Sequence, residues 1–179
     1  MNRAMEMTIR ACVEADVAAV TDIYGYHVRH GAGSFELEPP DAAEIARRWR
    51  AVVEGGYPYL VAEQGGEVVG YAYASAHRPR PAYRNTVENS VYTRVGCERR
   101  GIGRALMRAL LEQCERSGFR QMIAVIGDSA NDASIGLHRD LGFRPAGTLQ
   151  SAGFKFGRWV DVVLMQRALG PGDDTLPSR

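Results

Sequence analysis

Cysteine is scarce in this chain of 179 residues, and its three copies lie far apart. They stand at Cys12, Cys97 and Cys114, an odd number without a C-x-x-C pair. This spacing argues against a disulfide framework and against a structural zinc site. We therefore interpret all three as ordinary reduced thiols.

Long apolar runs are also missing. The longest, such as Met122 to Ile126, are far shorter than the stretch of about 20 residues that spans a bilayer. Residues 1–10 lack the continuous apolar core of a signal peptide. These absences predict a cytoplasmic protein without a membrane segment.

An excess of charge of either sign is the third absence. The chain has 22 Lys and Arg residues against 21 Asp and Glu residues, which gives a formal net charge of +1. This balance offers no bulk charge that would attract nucleic acid or anionic lipid, so neither partner is expected. Any anion that binds must be met by a local cluster of donors.

The length and the hydrophobic content of 45% fit one compact domain with a packed core. We expect a flexible N-terminus at residues 1–7 and a folded domain at residues 8–169. Residues 170–179, which are rich in Gly, Pro and Asp, are predicted to form a disordered tail.

Hydrophobic periodicity predicts an α/β layered domain with a mixed sheet. Gly65 and Gly66 separate two runs of aromatic and β-branched residues, which indicates a tight hairpin. Asp41 and Asn131 are suited to cap helices. The pattern predicts strands at 8–13, 57–63, 67–74, 86–94 and 119–126, one or two more from 143 to about 169, and helices from 17, 41, 102 and 131.

A glycine-rich basic segment, Glu98 to Ala105, follows a predicted strand and opens an amphipathic helix. This geometry presents consecutive backbone amides and the positive end of the helix dipole to an anion such as a pyrophosphate. Gly101 and Gly103 allow close approach of the backbone, and positive charge is added by three arginines: Arg99, Arg100 and Arg104. A plain turn with a solvated basic face is the alternative that the segment alone leaves open.

Two other nucleotide-binding patterns fit this segment less well. A dinucleotide fingerprint needs Gly or Ala where Leu106 stands, and a P-loop needs a Gly-Lys-Ser/Thr sequence that is absent here. Neither hydride transfer nor phosphoryl transfer is therefore expected.

The segments Arg99 to Ala105 and Asn131 to Phe143, with the strand before the first, resemble the acetyl-CoA site of the GCN5-related N-acetyltransferase (GNAT) superfamily. The similarity extends over nearly the whole chain. Several stretches resemble the phosphinothricin and methionine sulfoximine acetyltransferases of that superfamily: Ser34–Glu36, Arg78–Arg84, Val87–Tyr92, Ala124–Gly127 and Gly153–Lys155. The resemblance implies a mixed sheet of about six or seven strands flanked by about four helices. It also implies acetyl transfer from acetyl-CoA to the α-amino group of a small amino-acid analogue.

The resemblance further implies how acetyl-CoA is held. The backbone of Val91, Tyr92 and Thr93 would bind the pantetheine arm and donate to the thioester carbonyl. Asn131 would bond the same arm. The pyrophosphate would meet the loop and helix start formed by Arg99, Arg100, Gly101, Ile102, Gly103 and Arg104. Glu98 stands where the superfamily usually has Gln or Arg, so we expect weakened CoA affinity, with this carboxylate turned to solvent.

An amine acceptor arrives mostly as ammonium and must lose a proton before it attacks a thioester, so the site needs a base and a proton for the departing thiolate. Glu88 is the predicted base; the alternatives are an exposed strand carboxylate or an ion-pair partner of Arg84. His138, which stands where many relatives have a tyrosine acid, is the predicted acid. A helix histidine without a catalytic role, with solvent supplying the proton, is the alternative.

The prolines of the segment Arg78 to Arg84 exclude regular structure and predict a rigid basic loop. Its first part, Arg78-Pro79-Arg80, is predicted to hold the acceptor. A guanidinium can bind a carboxylate, or a phosphinate or sulfoximine oxygen, through two parallel hydrogen bonds. Surface arginines that keep the protein soluble are the alternative. Four further residues complete the predicted acceptor pocket: Asn89, Ser90, Phe35 and Tyr83.

Two other functions stay open. The same fold would also suit acetylation of a peptide N-terminus or a polyamine, although two arginines would repel a polyamine. A CoA-binding sensor without catalysis is the second alternative. No metal is expected, because His27 and His30 have no third ligand near them in the sequence. The resemblance implies a homodimer, in which Phe154, Phe156 and Trp159 would serve the interface or belong to the core.

Overall fold

A computed structural model describes residues 6–178 of the chain. This part contains seven strands: β1 (Met7–Ala11), β2 (Tyr59–Gln64), β3 (Glu67–Ala76), β4 (Thr86–Thr93), β5 (Gln121–Gly127), β6 (Arg144–Lys155) and β7 (Arg158–Ala168). It also contains four α-helices: α1 (Val17–His30), α2 (Ala42–Glu54), α3 (Ile102–Arg116) and α4 (Asp132–Asp140). Two short 3₁₀ turns lie at Glu14–Asp16 and Pro81–Tyr83.

The seven strands form one mixed sheet in the order β1-β2-β3-β4-β5-β7-β6. Neighbouring strands are antiparallel except for β4 and β5, which are parallel and are connected through α3. A parallel pair requires such a crossover, because the chain must return to the starting edge of the sheet. The predicted mixed sheet with about four helices is confirmed.

Local sequence signals place the turns and helix starts. Gly65 and Gly66 adopt φ angles of +62° and +83° in the β2–β3 hairpin, a region that glycine enters without steric cost. The Asp41 side chain accepts a hydrogen bond from the amide of Glu44 at 2.8 Å, which satisfies one of the free amides at the start of α2. These predicted turn and cap positions agree with the structure.

Both faces of the sheet are covered by hydrophobic side chains. On one face α3 buries Leu106 and Met107 against strand residues such as Val87, and all three have no exposed surface. On the other face α1 and α2 pack against residues such as Tyr71. Successive side chains of a strand point to opposite faces. Since Val87 faces α3, the next residue on β4, Glu88, faces the side of α1 and α2.

The parallel pair β4–β5 opens along its length. Its ladder joins Thr86 to Gln121 at one end and Asn89 to Ala124 at the other. Beyond that point β4 continues to Thr93 beside β3, and β5 continues beside β7. The two strands therefore diverge in the middle of the sheet. Their backbone groups along the opening are left available to a ligand.

The structure describes the C-terminal end of the chain up to residue 178, whereas the N-terminal end is described only from residue 6. The predicted flexible segment 1–7 falls mostly outside the described residues, and β1 begins at its last residue. At the other end, Arg120 donates to the carbonyl oxygens of Gly172 and Leu176, both at 2.9 Å, and to Oγ1 of Thr175 at 3.0 Å. Disorder of residues 170–179 stays a prediction. In residues 6–178 no helix combines the length and apolar character needed to cross a membrane.

Lys155 is the only lysine of the chain, beside 21 arginines, and only 3% of its surface is exposed. Its Nζ donates to the carbonyl oxygen of Gly31 at 2.9 Å and to that of Ser34 at 2.7 Å. Burial lowers the pKa of this ammonium. Because Lys155 ends β6 whereas Gly31 and Ser34 lie between α1 and α2, it fastens the α1–α2 loop to the β6–β7 hairpin.

Replacing Lys155 by Met keeps the length of the side chain but removes both hydrogen bonds. Two carbonyl oxygens then lose their donor in a buried place, so we expect the free energy of unfolding to fall by about 2 kcal/mol. Urea denaturation followed by circular dichroism measures this. Arg116→Met, the same type of change at a side chain that is 67% exposed, is the control and should change stability by less than about 0.5 kcal/mol. Equal losses in both variants would contradict the fastening role.

Candidate active site

The opening between β4 and β5 continues past the starts of α3 and α4 as one cleft of about 1090 Å³. Most residues that the sequence predicted for binding line this cleft: Asn89, Ser90, Val91, Tyr92, Thr93, Arg99, Gly101, Ile102, Gly103, Arg104, Asn131 and His138. The remaining predicted residues do not belong to its lining: Phe35, Arg78, Pro79, Arg80, Tyr83, Glu88 and Arg100.

The start of α3 has the form of an anion site. Gly101 takes a φ of +79° immediately before the helix, and Arg99 also has a positive φ, of +60°. The amide of Ala105 donates to the carbonyl oxygen of Gly101 at 2.9 Å, which is the first bond of the helical ladder. The amides of residues 102–104 precede that bond and point out of the helix end. Together with the helix dipole, they offer donors to phosphate oxygens.

The three predicted basic residues of this segment are placed differently. Arg99 lines the cleft, whereas Arg100 is exposed beside it. Arg104 lines the cleft but donates to Asp140 at 2.7 Å, so it bridges α3 and α4 and shares its charge with a carboxylate. Most of the attraction for an anion therefore comes from backbone amides and Arg99.

Glu98 is exposed at the edge of the cleft. Its Oε1 accepts a hydrogen bond from the amide of Gly96 at 3.0 Å. Bonds from its own amide and from that of Gly96 lower the pKa of this carboxyl. The carboxylate is thus folded back onto its own loop. Weakened CoA affinity stays a prediction.

The end of β4 is tied to α1 by a histidine that the sequence did not single out for this site. Nε2 of His27 donates to the carbonyl oxygen of Thr93 at 2.8 Å, and the imidazole packs against the ring of Tyr92 with centroids 5.3 Å apart. His27 itself lines the cleft. It therefore fixes the part of β4 that is predicted to carry the pantetheine arm.

Asn131 joins the end of β5 to the start of α4. Its Oδ1 accepts from the amide of Ser134 at 3.2 Å, which caps the helix, and its Nδ2 donates to the carbonyl oxygen of Gly127 at 3.1 Å. The predicted capping role is confirmed, while its bond to a pantetheine arm stays a prediction.

His138 is 2% exposed, and both of its ring nitrogens have neighbours. Nδ1 donates to the carbonyl oxygen of Ser134 at 2.8 Å, and Nε2 lies 2.9 Å from Oδ1 of Asn89. Burial lowers the pKa of the imidazole. Because Nδ1 is bonded to Ser134 and Nε2 is in contact with Asn89, proton transfer from His138 to a thiolate would require the contact with Asn89 to open.

Glu88 lies next to the cleft rather than in it, on the α1 and α2 side of β4. Its side chain is 31% exposed, and Oε1 lies 2.7 Å from Nδ1 of His77. The sequence had offered Arg84 as an alternative partner and did not consider His77. The next residue, Asn89, already lines the cleft, so the carboxylate stands beside the end of the predicted pantetheine channel.

A second cavity of about 290 Å³ lies on the same side of the sheet as Glu88. Its lining includes Tyr24 and Tyr73, together with Ser75. Ser75 stands directly opposite Glu88 in the β3–β4 register. The face of the sheet that carries this carboxylate therefore has open space near it.

The predicted acceptor loop is exposed. Within residues 6–178, neither the Arg78 nor the Arg80 side chain makes a hydrogen bond or ion pair, so both guanidinium groups are free to meet an anion. The sequence excluded regular structure from this loop, and that was wrong for Pro81–Tyr83, which forms a 3₁₀ turn. Proline suits the first position of a helical turn, where its fixed φ is helical and its missing amide costs no bond.

Phe35 packs where two glycines leave room. A Cβ added at Gly153 would lie 2.3 Å from the Phe35 ring, and one added at Gly127 would lie 2.1 Å from the carbonyl oxygen of Ala32. The α1–α2 loop therefore rests directly on β5 and β6. Phe35 itself remains 39% exposed and lines neither of the two cavities, so its role as a pocket wall stays a prediction.

A hydrogen-bonded network holds the middle of this loop. The Tyr24 hydroxyl donates to Glu36 at 2.7 Å and lies 2.8 Å from Oγ of Ser34, and Arg48 of α2 pairs with Glu36 at 2.5 Å. Burial raises the pKa of Tyr24 to about 12, so the phenol stays protonated as a donor. The loop is thus held at Gly31, Ser34 and Glu36.

Some residues of the site carry no local sequence signal. His27 lines the cleft and His77 contacts Glu88, although nothing in their neighbouring sequence marks them. Only the pairing of distant strands and helices brings them there. Among the described residues, no group of three or more His, Cys, Asp or Glu side chains is arranged to hold a metal ion. A metal-free reaction stays a prediction.

The arrangement suits one kind of ligand on the cleft side. Free amides at the start of α3 fit a pyrophosphate, and the gap between β4 and β5 fits an extended arm that bonds to strand backbone. A half-buried carboxylate beside the far end of this gap is in a position to take a proton.

Comparison with known proteins identifies the family to which this fold and cleft belong. The sequence profile of the Acetyltransferase (GNAT) family matches residues 23–143. The chain is 52% identical to a phosphinothricin N-acetyltransferase of Alcaligenes faecalis over 170 residues, which cover 95% of this chain and 86% of that protein. It is 40% identical to an L-methionine sulfoximine/L-methionine sulfone acetyltransferase of Pseudomonas paraeruginosa over 168 residues, which cover 93% of this chain and 97% of that protein.

A solved structure extends the likeness to the fold. A GNAT superfamily phosphinothricin acetyltransferase from Sinorhizobium meliloti, in complex with AcCoA, superposes with a TM-score of 0.94 at 47% identity. The match covers 98% of this chain and 95% of that one. By sequence profile, sequence identity and fold, the chain belongs to the GNAT family of acetyltransferases.

Proposed function

We propose that the protein transfers the acetyl group of acetyl-CoA to the α-amino group of a small amino-acid analogue of the phosphinothricin, methionine sulfoximine or methionine sulfone type. The observation that carries this proposal is the position of Glu88. It lies beside the end of a cleft whose other end offers free helix amides to a pyrophosphate. Relatives with these acceptors in their names align over more than 90% of the chain.

Acetyl-CoA would lie with its pyrophosphate at the start of α3 and its pantetheine arm between β4 and β5. Donors to the phosphates would come from the segment Arg99 to Arg104, with Arg100 reaching in from outside the cleft. The backbone of Val91, Tyr92 and Thr93 and the side chain of Asn131 would bond the arm. Because β4 is already paired with β3 along this stretch, the donors are fixed before the ligand arrives.

The reaction would be a direct attack without a covalent enzyme intermediate. The carboxylate of Glu88 takes a proton from the acceptor's ammonium group, and the freed nitrogen attacks the thioester carbon. The C–N bond forms and an amide of β4 stabilises the oxyanion; the nitrogen then loses its second proton to solvent, and the C–S bond breaks. The leaving thiolate takes a proton either from solvent or from the imidazolium form of His138, once the contact between its Nε2 and Asn89 opens.

The acceptor would be held by its negative groups. Arg78 and Arg80 are exposed and unpaired within residues 6–178, and Pro79 between them restricts their backbone. A guanidinium binds a carboxylate or a tetrahedral oxygen through two bonds. The pocket would be completed by Asn89, Ser90, Phe35 and Tyr83.

The alternatives account for fewer of these features. Two free arginines would repel a polyamine, and acetylation of a peptide N-terminus would not require these arginines. A CoA sensor without catalysis would not need a carboxylate beside the cleft. We further propose a cytoplasmic protein that acts without a metal, since its three cysteines remain free thiols and the reaction needs none.

The proposed reaction predicts a narrow acceptor range. Thiol release from acetyl-CoA should be rapid with methionine sulfoximine, phosphinothricin and methionine sulfone. Plain methionine and a polyamine should react at least about tenfold more slowly, because they lack the tetrahedral oxygens that a guanidinium binds. A thiol-reactive dye measures the release. If no amine causes thiol release while CoA still binds, the result would contradict the proposal and favour the CoA-binding sensor.

Glu88→Gln removes the proposed base and keeps the shape of the side chain. We expect turnover at pH 7 to fall by about 100-fold or more, because general-base catalysis contributes on that scale. Steady-state kinetics gives the turnover and calorimetry gives the CoA affinity, which should not change. Wild-type turnover in this variant would remove Glu88 from the role.

We also propose that the protein is a homodimer formed through the β6–β7 hairpin. Strand β6 is the edge of the sheet, and nearly all of its residues are exposed. Phe154 and Trp159 pack against each other edge to face yet remain 57% and 65% exposed, and Phe156 lies beside them. An open edge strand that carries exposed aromatic residues attracts a partner, and a second copy offers the same self-complementary surface.

Light scattering after size exclusion should give twice the chain mass of 19.6 kDa. Trp159→Arg should shift the mass to that of a monomer, because a charge cannot be buried unpaired in the interface. Val53→Arg, at a half-exposed valine of α2, is the matched control and should leave the mass unchanged. A monomeric wild type would refute the dimer.

A further inference from the structure

His77 makes the shortest polar contact of the proposed base. Its Nδ1 lies 2.7 Å from Oε1 of Glu88, and the two side chains are 19% and 31% exposed. An ionised carboxylate can only accept hydrogen bonds, so Nδ1 is the donor. The contact joins the residue after β3 to the middle of β4.

The register of the two strands explains this contact. Ser75 stands opposite Glu88, and the amide of His77 donates to the carbonyl oxygen of Thr86 at 3.4 Å, which extends the same antiparallel pattern by one step. His77 is therefore the diagonal neighbour of Glu88 on one face of the sheet. Diagonal pairs lie about 7–8 Å apart, within reach of long side chains.

The imidazole is held in its own position. Its ring packs edge to face against Tyr83 with centroids 5.5 Å apart and planes inclined by 77°. Tyr83 belongs to the 3₁₀ turn that follows the two free arginines. His77 thus lies between the proposed base and the loop proposed to hold the acceptor.

We infer that His77 is a positioning residue for Glu88. The hydrogen bond to Oε1 fixes the carboxylate rotamer and leaves Oε2 directed at the acceptor's ammonium group. Without it, the carboxylate can rotate away from the line of proton transfer, and displacement of about 1 Å costs up to 100-fold in rate. This inference rests on the proposed function, because it assumes that Glu88 is the base.

The matched variants are His77→Leu, His77→Asn and His30→Leu. Leucine removes the donor, whereas asparagine places an amide N–H near the position of Nδ1. His30 is an exposed histidine of α1 outside the proposed machinery, so His30→Leu controls for the loss of an imidazole. Kinetics is measured with methionine sulfoximine as acceptor, and thermal unfolding is recorded for each variant.

We expect His77→Leu to lower kcat by about 10- to 100-fold with the KM of acetyl-CoA unchanged. His77→Asn should recover most of this loss, and His30→Leu should show wild-type rates. In the Glu88→Gln background, His77→Leu should cause little further loss, because its effect passes through the carboxylate. A residue with only a structural role would instead lower the unfolding temperature and cause the same loss in both backgrounds.

Three results would overturn the inference: an unchanged kcat in His77→Leu, an equal loss in both backgrounds, or no recovery in His77→Asn. If His77→Leu does not fold, His77→Asn and His77→Gln decide, because their amides lie near Nδ1 and near Nε2 respectively, and equal rates would contradict positioning through Nδ1. Wild-type turnover in Glu88→Gln would refute both the base and its positioning residue, while acetyl transfer itself would stand.

Discussion

The break in the β4–β5 ladder is the constraint on which the site depends. The two strands pair from Thr86 to Asn89 and then separate, while each stays bonded to its other neighbour. An unfilled gap of this kind would leave backbone donors and acceptors without partners, which is costly unless a ligand or water meets them. The start of α3 opens at the same end of the gap. One local divergence therefore creates both the channel and its anion-binding mouth.

In the proposed reaction, two different kinds of hydrogen-bond donor bind the anionic groups of acetyl-CoA and of the acceptor. The pyrophosphate would meet fixed backbone amides, with Arg99 nearby and Arg104 already paired with Asp140. The acceptor's negative groups would meet Arg78 and Arg80, whose charges are not shared. Backbone dipoles are oriented by the fold and need no net charge. A chain with a net charge of +1 can thus bind a strongly charged cofactor through a local cluster of donors, without a bulk positive charge.

Sequence reasoning succeeded where the deciding interaction is local. The Asp41 cap bonds three residues ahead, and the Gly65-Gly66 turn is set by two φ angles. It failed where the partner is distant. His77 reaches Glu88 through strand pairing, and Lys155 bonds a carbonyl 124 positions earlier. Such contacts follow from tertiary packing, which leaves no periodic trace in a single sequence.

Hydrogen bonds and packing connect the β6–β7 hairpin to the proposed acceptor side of the site. Lys155 is buried between the exposed Phe154 and Phe156, and its ammonium bonds the loop that carries Phe35. That ring in turn occupies the space above Gly153 of the same hairpin. Any partner that fixes the aromatic residues of the hairpin also fixes the backbone between them, and with it the ammonium. In the proposed dimer, association would therefore restrict the α1–α2 loop and with it Phe35, the proposed wall of the acceptor pocket.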